Sequence, residues 1–116
     1  MKQWGGIAVL LGLWSLLAAG CGRSGTDVAS REMLKEGGEL FSHFCAGCHP
    51  DGGNAIYPQK TLYREDLAAN GIRTADDIVD RMRHPGKGMR QFDRRDLSDR
   101  EARSIAAYVL STFSHR

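Results

Sequence analysis

Cysteine, long apolar runs and an excess of one charge are all scarce in this chain, and each scarcity narrows what the protein can be. Only three cysteines occur in 116 residues, and they do not sort into pairs. Cys45 and Cys48 share one short motif, while Cys21 stands alone after an apolar segment. The longest mostly apolar stretch, Ile7 to Leu17, is too short and too poorly flanked for a transmembrane span. Sixteen basic residues against fourteen acidic ones leave a formal net charge of +2, which argues for neither nucleic acid nor a polyanionic partner. Internal repeats and low-complexity segments are missing, and no stretch alternates apolar and polar residues as a half-buried strand does. These absences leave a small helical domain.

What is present begins with an export signal. Lys2 supplies the positive n-region, Ile7 to Leu17 the apolar core, and Ala18-Ala19-Gly20 a small-residue cleavage site. Residues 1–20 are therefore expected to be a signal peptide of the lipoprotein type. Leu17-Ala18-Ala19-Gly20-Cys21 is similar to a bacterial lipobox, with Ala18 where leucine is usual. Cys21 is accordingly the expected lipidation site. The alternative is ordinary cleavage after small residues, which leaves Cys21 as a free and reactive thiol. Residues 21–30 read as a flexible tether, and residues 31–116 as one domain. Such a short domain buries a modest fraction of its surface and benefits from a staple.

Cys45-Ala46-Gly47-Cys48-His49 suggests what that staple is. Two cysteines two residues apart, followed at once by histidine, form the pattern of covalent c-type haem attachment. Each thiol adds to one vinyl group of the macrocycle, and His49 then offers a neutral imidazole nitrogen to the iron. The motif occurs once, so one haem is expected. In bacteria this attachment takes place outside the cytoplasmic membrane, which agrees with the export signal.

Four helical segments follow from periodicity and capping. Residues 31–44 place Met33, Leu34, Leu40, Phe41 and Phe44 at amphipathic spacings, although Gly37 and Gly38 each weaken the helix by roughly 1 kcal/mol relative to alanine. That cost suggests another backbone close by. Residues 63–69 form a short helix stopped by Asn70-Gly71. Thr74 is an N-cap for residues 75–83, which His84-Pro85-Gly86 terminates. Ser98 and Glu101 make a capping box for the last helix, where Ala102, Ile105, Ala106, Val109 and Phe113 recur at three- and four-residue steps.

The sixth position of the iron decides whether the haem is an open site or an electron carrier. Met89 lies 40 residues after His49 (89 minus 49), in a loop whose Gly86 and Gly88 permit close backbone approach. A neutral, soft thioether favours ferrous iron and raises the reduction potential. Met82 is assigned to the core by its helix face, and Met33 to the core or the region of the tether. His84 follows a helix end, His43 lies on the same side as His49, and His115 belongs to the tail.

The ordered set Gly37-x-x-Leu40-Phe41-x-x-x-Cys45-Ala46-x-Cys48-His49, glycine-flanked Met89 with Phe92, then Leu97-Ser98-Asp99 opening a helix with Tyr108-Val109, resembles the class I c-type cytochromes, most of all their short bacterial members. The resemblance covers about residues 32–113. It implies an all-α fold of about four helices wrapped around one covalently bound haem. It also implies a close crossing of the first and last helices, where Gly37 and Phe41 meet Tyr108 or its neighbours. A proline carbonyl is expected on the proximal histidine, with Pro58 the candidate. Arg90 stands where the family usually has proline after the axial methionine.

The function expected from these residues is one-electron carriage in the periplasm, without substrate turnover, through haem c held by Cys45 and Cys48 and ligated by His49 and Met89. Partners would be redox proteins, with membrane contact through Cys21 and a monomeric state. Arg81, Arg83, Lys87, Arg90, Arg94 and Arg95 suggest a basic rim that steers an acidic partner; a solvated mixed-charge surface is the alternative. The rival functions are a haem sensor or small-ligand binder using a labile Met89 bond, a zinc site, and a thiol redox motif. Zinc is disfavoured because Cys45, Cys48, His49 and His43 lie too close in sequence for good tetrahedral geometry. The thiol motif lacks a surrounding βαβ pattern.

Overall fold

A computed structural model describes residues 24–113. Its elements are α1 (Ser24–Phe44), a 3₁₀ turn (Pro50–Gly52), α2 (Arg64–Ala69), α3 (Ala75–Arg83) and α4 (Asp99–Thr112). No strand occurs among the described residues, in keeping with the missing alternation. The expected signal peptide, Cys21 and His115 lie outside them.

Local chemistry accounts for the helix ends. The Thr74 hydroxyl accepts from Asp77 N at 3.2 Å, and the Asp77 carboxylate accepts from Thr74 N at 2.8 Å. Ser98 and Glu101 repeat this reciprocal arrangement at α4, where Ser98 N donates to Glu101 Oε2 at 2.8 Å. Both boxes satisfy donors that have no partner inside their helices. At the end of α2, Gly71 adopts φ +76°, as the Asn70-Gly71 stop requires.

The start of α1 differs from expectation. Residues 24–30, read as part of the flexible tether, form its first turns. Residues 25–28 are exposed and show no apolar periodicity, so the stretch lacks the pattern that marks a buried helix face. It continues the hydrogen-bonded ladder of α1, and Asp27 in the first turn complements the helix dipole. Met33, expected in the core or near the tether, is 43% exposed, which agrees with the second placement.

The first and last helices cross at close range. A Cβ built on Gly37 would collide with the backbone carbonyl of Ser104 and the Cβ of Tyr108, so only glycine lets the two backbones approach this closely. Phe41 packs against Tyr108 and Phe113 with ring centroids 5.5 and 5.3 Å apart, within the range of favourable aromatic contact. Glu36 adds a polar tie, accepting from Ser104 Oγ at 2.7 Å and from Arg100 Nη1 at 2.6 Å. Leu97, Ile105 and Val109 are almost wholly buried beside this crossing, with Phe92 and Met82. Each such side chain contributes about 1.5–3 kcal/mol relative to exposure. The core is therefore one-sided: α1, α3 and α4 pack together, and the face toward residues 45–62 and 86–90 encloses a cavity.

Candidate haem site

Residues 45–49 follow α1 as consecutive hydrogen-bonded turns. Phe41 O accepts from Cys45 N and Ala46 N at 2.8 and 2.9 Å, and Cys45 O accepts from Cys48 N and His49 N at 3.1 and 2.8 Å. These bonds coil the motif so that both cysteines and His49 line one cavity. Burial, and then the neighbouring Cys48 thiol, push the Cys45 thiol up to about 11. A redox-active Cys-x-x-Cys motif works through a lowered thiol pKa, so the shift runs against the thiol redox reading.

His49 is oriented by the turn that follows it. Its Nδ1 lies 2.8 Å from Gly53 O. A carbonyl can only accept, so Nδ1–H donates and Nε2 keeps its lone pair for a metal. The turn is tight: Gly52 N donates to His49 O at 3.1 Å and Gly53 N to Pro50 O at 2.9 Å, with Asp51 and Gly52 both at positive φ. The carbonyl partner is thus Gly53 and not Pro58, which is exposed. The reason is local: the reversal at Asp51-Gly52 brings a carbonyl four residues on directly against the ring.

Met89 lines the same cavity, half-buried, between Gly88 and Arg90. Gly88 sits at φ +94°, and a Cβ there would enter the Tyr57 ring. Asn54 holds Tyr57 in place: its Oδ1 accepts from Ile56 N and Tyr57 N at 2.9 and 2.7 Å, while its Nδ2 donates to Lys60 O at 2.9 Å. Asn54 and Tyr57 were not singled out from sequence, although asparagine just after a glycine pair is a turn signal.

The cavity holds about 360 Å³ and has mainly apolar walls, including Phe41, Phe44, Leu67, Ile78, Phe92 and Ile105. Met82, assigned to the core, contributes to both core and wall. A larger depression of about 590 Å³ lies beside α3, lined by charged side chains such as Asp76, Asp80, Arg94 and Arg95. None of Cys45, Cys48, His49 or Met89 reaches it. His84 does, exposed and 3.0 Å from Asp80, so it faces away from the site. His43 is exposed, with its ring on Phe44. The donor set fits haem: two thiols and an imidazole with a free Nε2 on one short arc, an apolar chamber, and a thioether on its wall.

The expected basic rim is only partly a rim. Arg83 is buried and bonds to the loop backbone. Arg90, Arg94 and Arg95 pair with Asp96, Asp99 and Asp93 at 3.2, 3.0 and 2.8 Å. Arg81 and Lys87, with Arg90 and Lys60, line the cavity.

Comparison with known proteins agrees with this chemistry. The family described as cytochrome c oxidase, cbb3-type, subunit III matches residues 32–109. Cytochrome c6 from Cyanidium caldarium is 41% identical over 78 residues, which are 67% of this chain and 70% of that protein. The Pyropia yezoensis cytochrome c6 is 35% identical over 105 residues, 90% and 91% of the two chains. Among solved structures, the outer membrane cytochrome OmcF from Geobacter sulfurreducens is 48% identical at a TM-score of 0.65, covering 66% of this chain and 98% of its own. Cytochrome c6 from the diatom Phaeodactylum tricornutum is 39% identical at a TM-score of 0.62, covering 67% and 91%. With one Cys-x-x-Cys-His motif in a helical chamber, the chain belongs to the class I monohaem c-type cytochromes, electron carriers with one haem c, bound covalently here through Cys45 and Cys48.

Proposed function

We propose that His49 and Met89 together ligate the iron, so that the protein carries single electrons through a closed, six-coordinate site in the periplasm. One observation carries the ligation: His49, with Nδ1 committed to Gly53, and Met89 line the same apolar cavity. Haem supplies a one-electron ferric–ferrous couple. The chain's part is to orient the imidazole, hold the thioether, and surround the ring with Phe41, Phe44, Leu67 and Ile78, which exclude water. A neutral thioether in an apolar chamber favours the ferrous state and raises the potential. The sensor reading requires a labile methionine, whereas both ends of the Met89 loop are hydrogen-bonded to α3. Met89→Ala is expected to abolish the Met–iron charge-transfer band and to open the ferrous protein to carbon monoxide. An unchanged spectrum would assign the sixth position to another residue.

Docking belongs to the cavity mouth. Lys60, Arg81 and Lys87 line the cavity against one carboxylate, Asp66, with Arg90 already paired to Asp96, a basic edge suited to an acidic redox partner. Association should slow as ionic strength rises, and a rate that stays flat would remove steering. Export by residues 1–20 and acylation of Cys21 rest on the signal-like sequence and on the likeness to a cytochrome described as an outer membrane protein. Intact mass of the mature protein tests both, since acylation adds lipid mass at Cys21, and a free thiol there would contradict it.

A further inference from the structure

The loop that carries Met89 begins and ends at one place. It leaves α3 after Arg83 and returns at Gln91, where Gln91 Nε2 donates to Arg83 O at 2.8 Å and Phe92 N donates to Met82 O at 2.9 Å. Inside the loop the ties are side-chain ones at the surface: exposed His84 lies 3.0 Å from Asp80, and Arg90 pairs with Asp96 at 3.2 Å and lies over the Phe92 ring at 4.5 Å. Gly86 and Gly88 both precede Met89, and Met89 N lies 3.5 Å from Gly86 O, at the edge of hydrogen-bonding distance.

The Arg83 side chain closes this neck from the other direction. Nη1 donates to Phe92 O and Asp93 O, each at 3.0 Å. Nη2 donates to Leu97 O at 2.9 Å and to Asp99 Oδ1 at 3.0 Å. All four terminal N–H groups of the fork are therefore spent, three of them on backbone carbonyls. The side chain is 10% exposed, and its remaining donor, Nε, is buried without a partner. Burying a cation with one donor idle is costly. What it achieves here is a fixed path for residues 92–97, the segment that returns the loop to α4.

We propose that Arg83 is the positioning residue for Met89: its guanidinium closes the neck of the 84–91 loop and so holds the thioether at the sixth position. The proposal rests on the reading of Met89 as the second axial ligand. Arg83 does not line the haem cavity and acts only through the loop. Lysine would keep the charge but cannot span these acceptors, because its donors radiate from a single nitrogen.

The test compares the haem-loaded parent with Arg83→Lys, Arg83→Met, Gln91→Ala and Met89→Ala. The readouts are the ferric Met–iron band, the ferrous carbon monoxide association rate, haem content and Tm. Both Arg83 variants are expected to retain covalent haem, weaken the band, and bind carbon monoxide at least about tenfold faster than the parent, with Gln91→Ala in between. A lowered Tm with the parent's band and carbon monoxide rate would make Arg83 merely structural and overturn the proposal. If the Arg83 variants do not fold, Gln91→Ala decides, and an unaltered rate there also overturns it. If Met89→Ala leaves the band in place, the ligand reading fails and the clamp with it. If Met89→Ala abolishes the band while the Arg83 and Gln91 variants keep it, only the clamp fails.

Discussion

Gly88 stands next to Met89 at φ +94°, with the Tyr57 ring where a side chain would begin. Gly88→Ala therefore meets two penalties. The left-handed backbone costs about 1–2 kcal/mol, and displacing Tyr57 adds a cost of order 1–3 kcal/mol. Asn54 bonds the Tyr57 main-chain N–H and leaves the ring able to shift, so the backbone penalty falls on the loop, which is expected to give way. Unfolding midpoint and Met–iron band should fall together; a destabilised variant with an intact band would separate Gly88 from the ligand. His49 shows a different residue-scale control, in which a main-chain carbonyl sets the tautomer. Every residue has a carbonyl, so side-chain identity could not distinguish Gly53 from Pro58. The positive φ of Asp51 and Gly52 selects it.

At the scale of elements, the α1–α4 crossing depends on Gly37. Gly37→Ala gains about 1 kcal/mol of helix propensity, yet its methyl would enter the Ser104 carbonyl. Overpacking of this kind costs about 1–3 kcal/mol, and backbone is less able to yield than a side chain. The net effect is expected to be destabilising by up to about 2 kcal/mol in denaturant unfolding; a stabilised variant would show that the helices can separate at no cost. This glycine was legible in sequence because a costly residue inside an apolar repeat implies a close neighbour. The Thr74 and Ser98 caps were legible because their partners lie three residues away. The start of α1 was not, since residues 25–28 bury no face that would leave a pattern. Nor was Arg83: among neighbouring arginines nothing marks it, and its acceptors lie 9 to 16 residues downstream.

For the whole molecule, acid should loosen the fold over a defined window. Asp93 is held at about 2, first by the Arg95 side chain and then by the backbone N–H groups of Arg95 and Asp96. The Ser104 hydroxyl, followed by Arg100, lowers Glu36; Arg94, followed by Arg83, lowers Asp99. In the unfolded chain such groups take up protons near 3.8 and 4.5, their ordinary values. The folded chain does so only at lower pH. Between these values the unfolded state binds more protons, so stability rises with pH. The contribution is complete above the ordinary values and is lost as pH falls through the lowered ones, Asp93 reaching furthest down. The Tm of the haem-loaded protein should decline from about pH 4.5 toward pH 2, more gently in Asp93→Asn; parallel profiles would exclude Asp93 as a contributor. These carboxylates are solvent-accessible, so added salt should flatten the slope.

Ligation of a single haem by both His49 and Met89 carries its own spectroscopic signature. Proton NMR of the ferrous protein reads it, because a methionine methyl bound at iron would lie in the ring current of the porphyrin. One strongly upfield-shifted methyl signal is expected in the parent, and it should disappear in Met89→Ala with haem still attached. A parent spectrum without that signal, or a signal that survives in Met89→Ala, would contradict it.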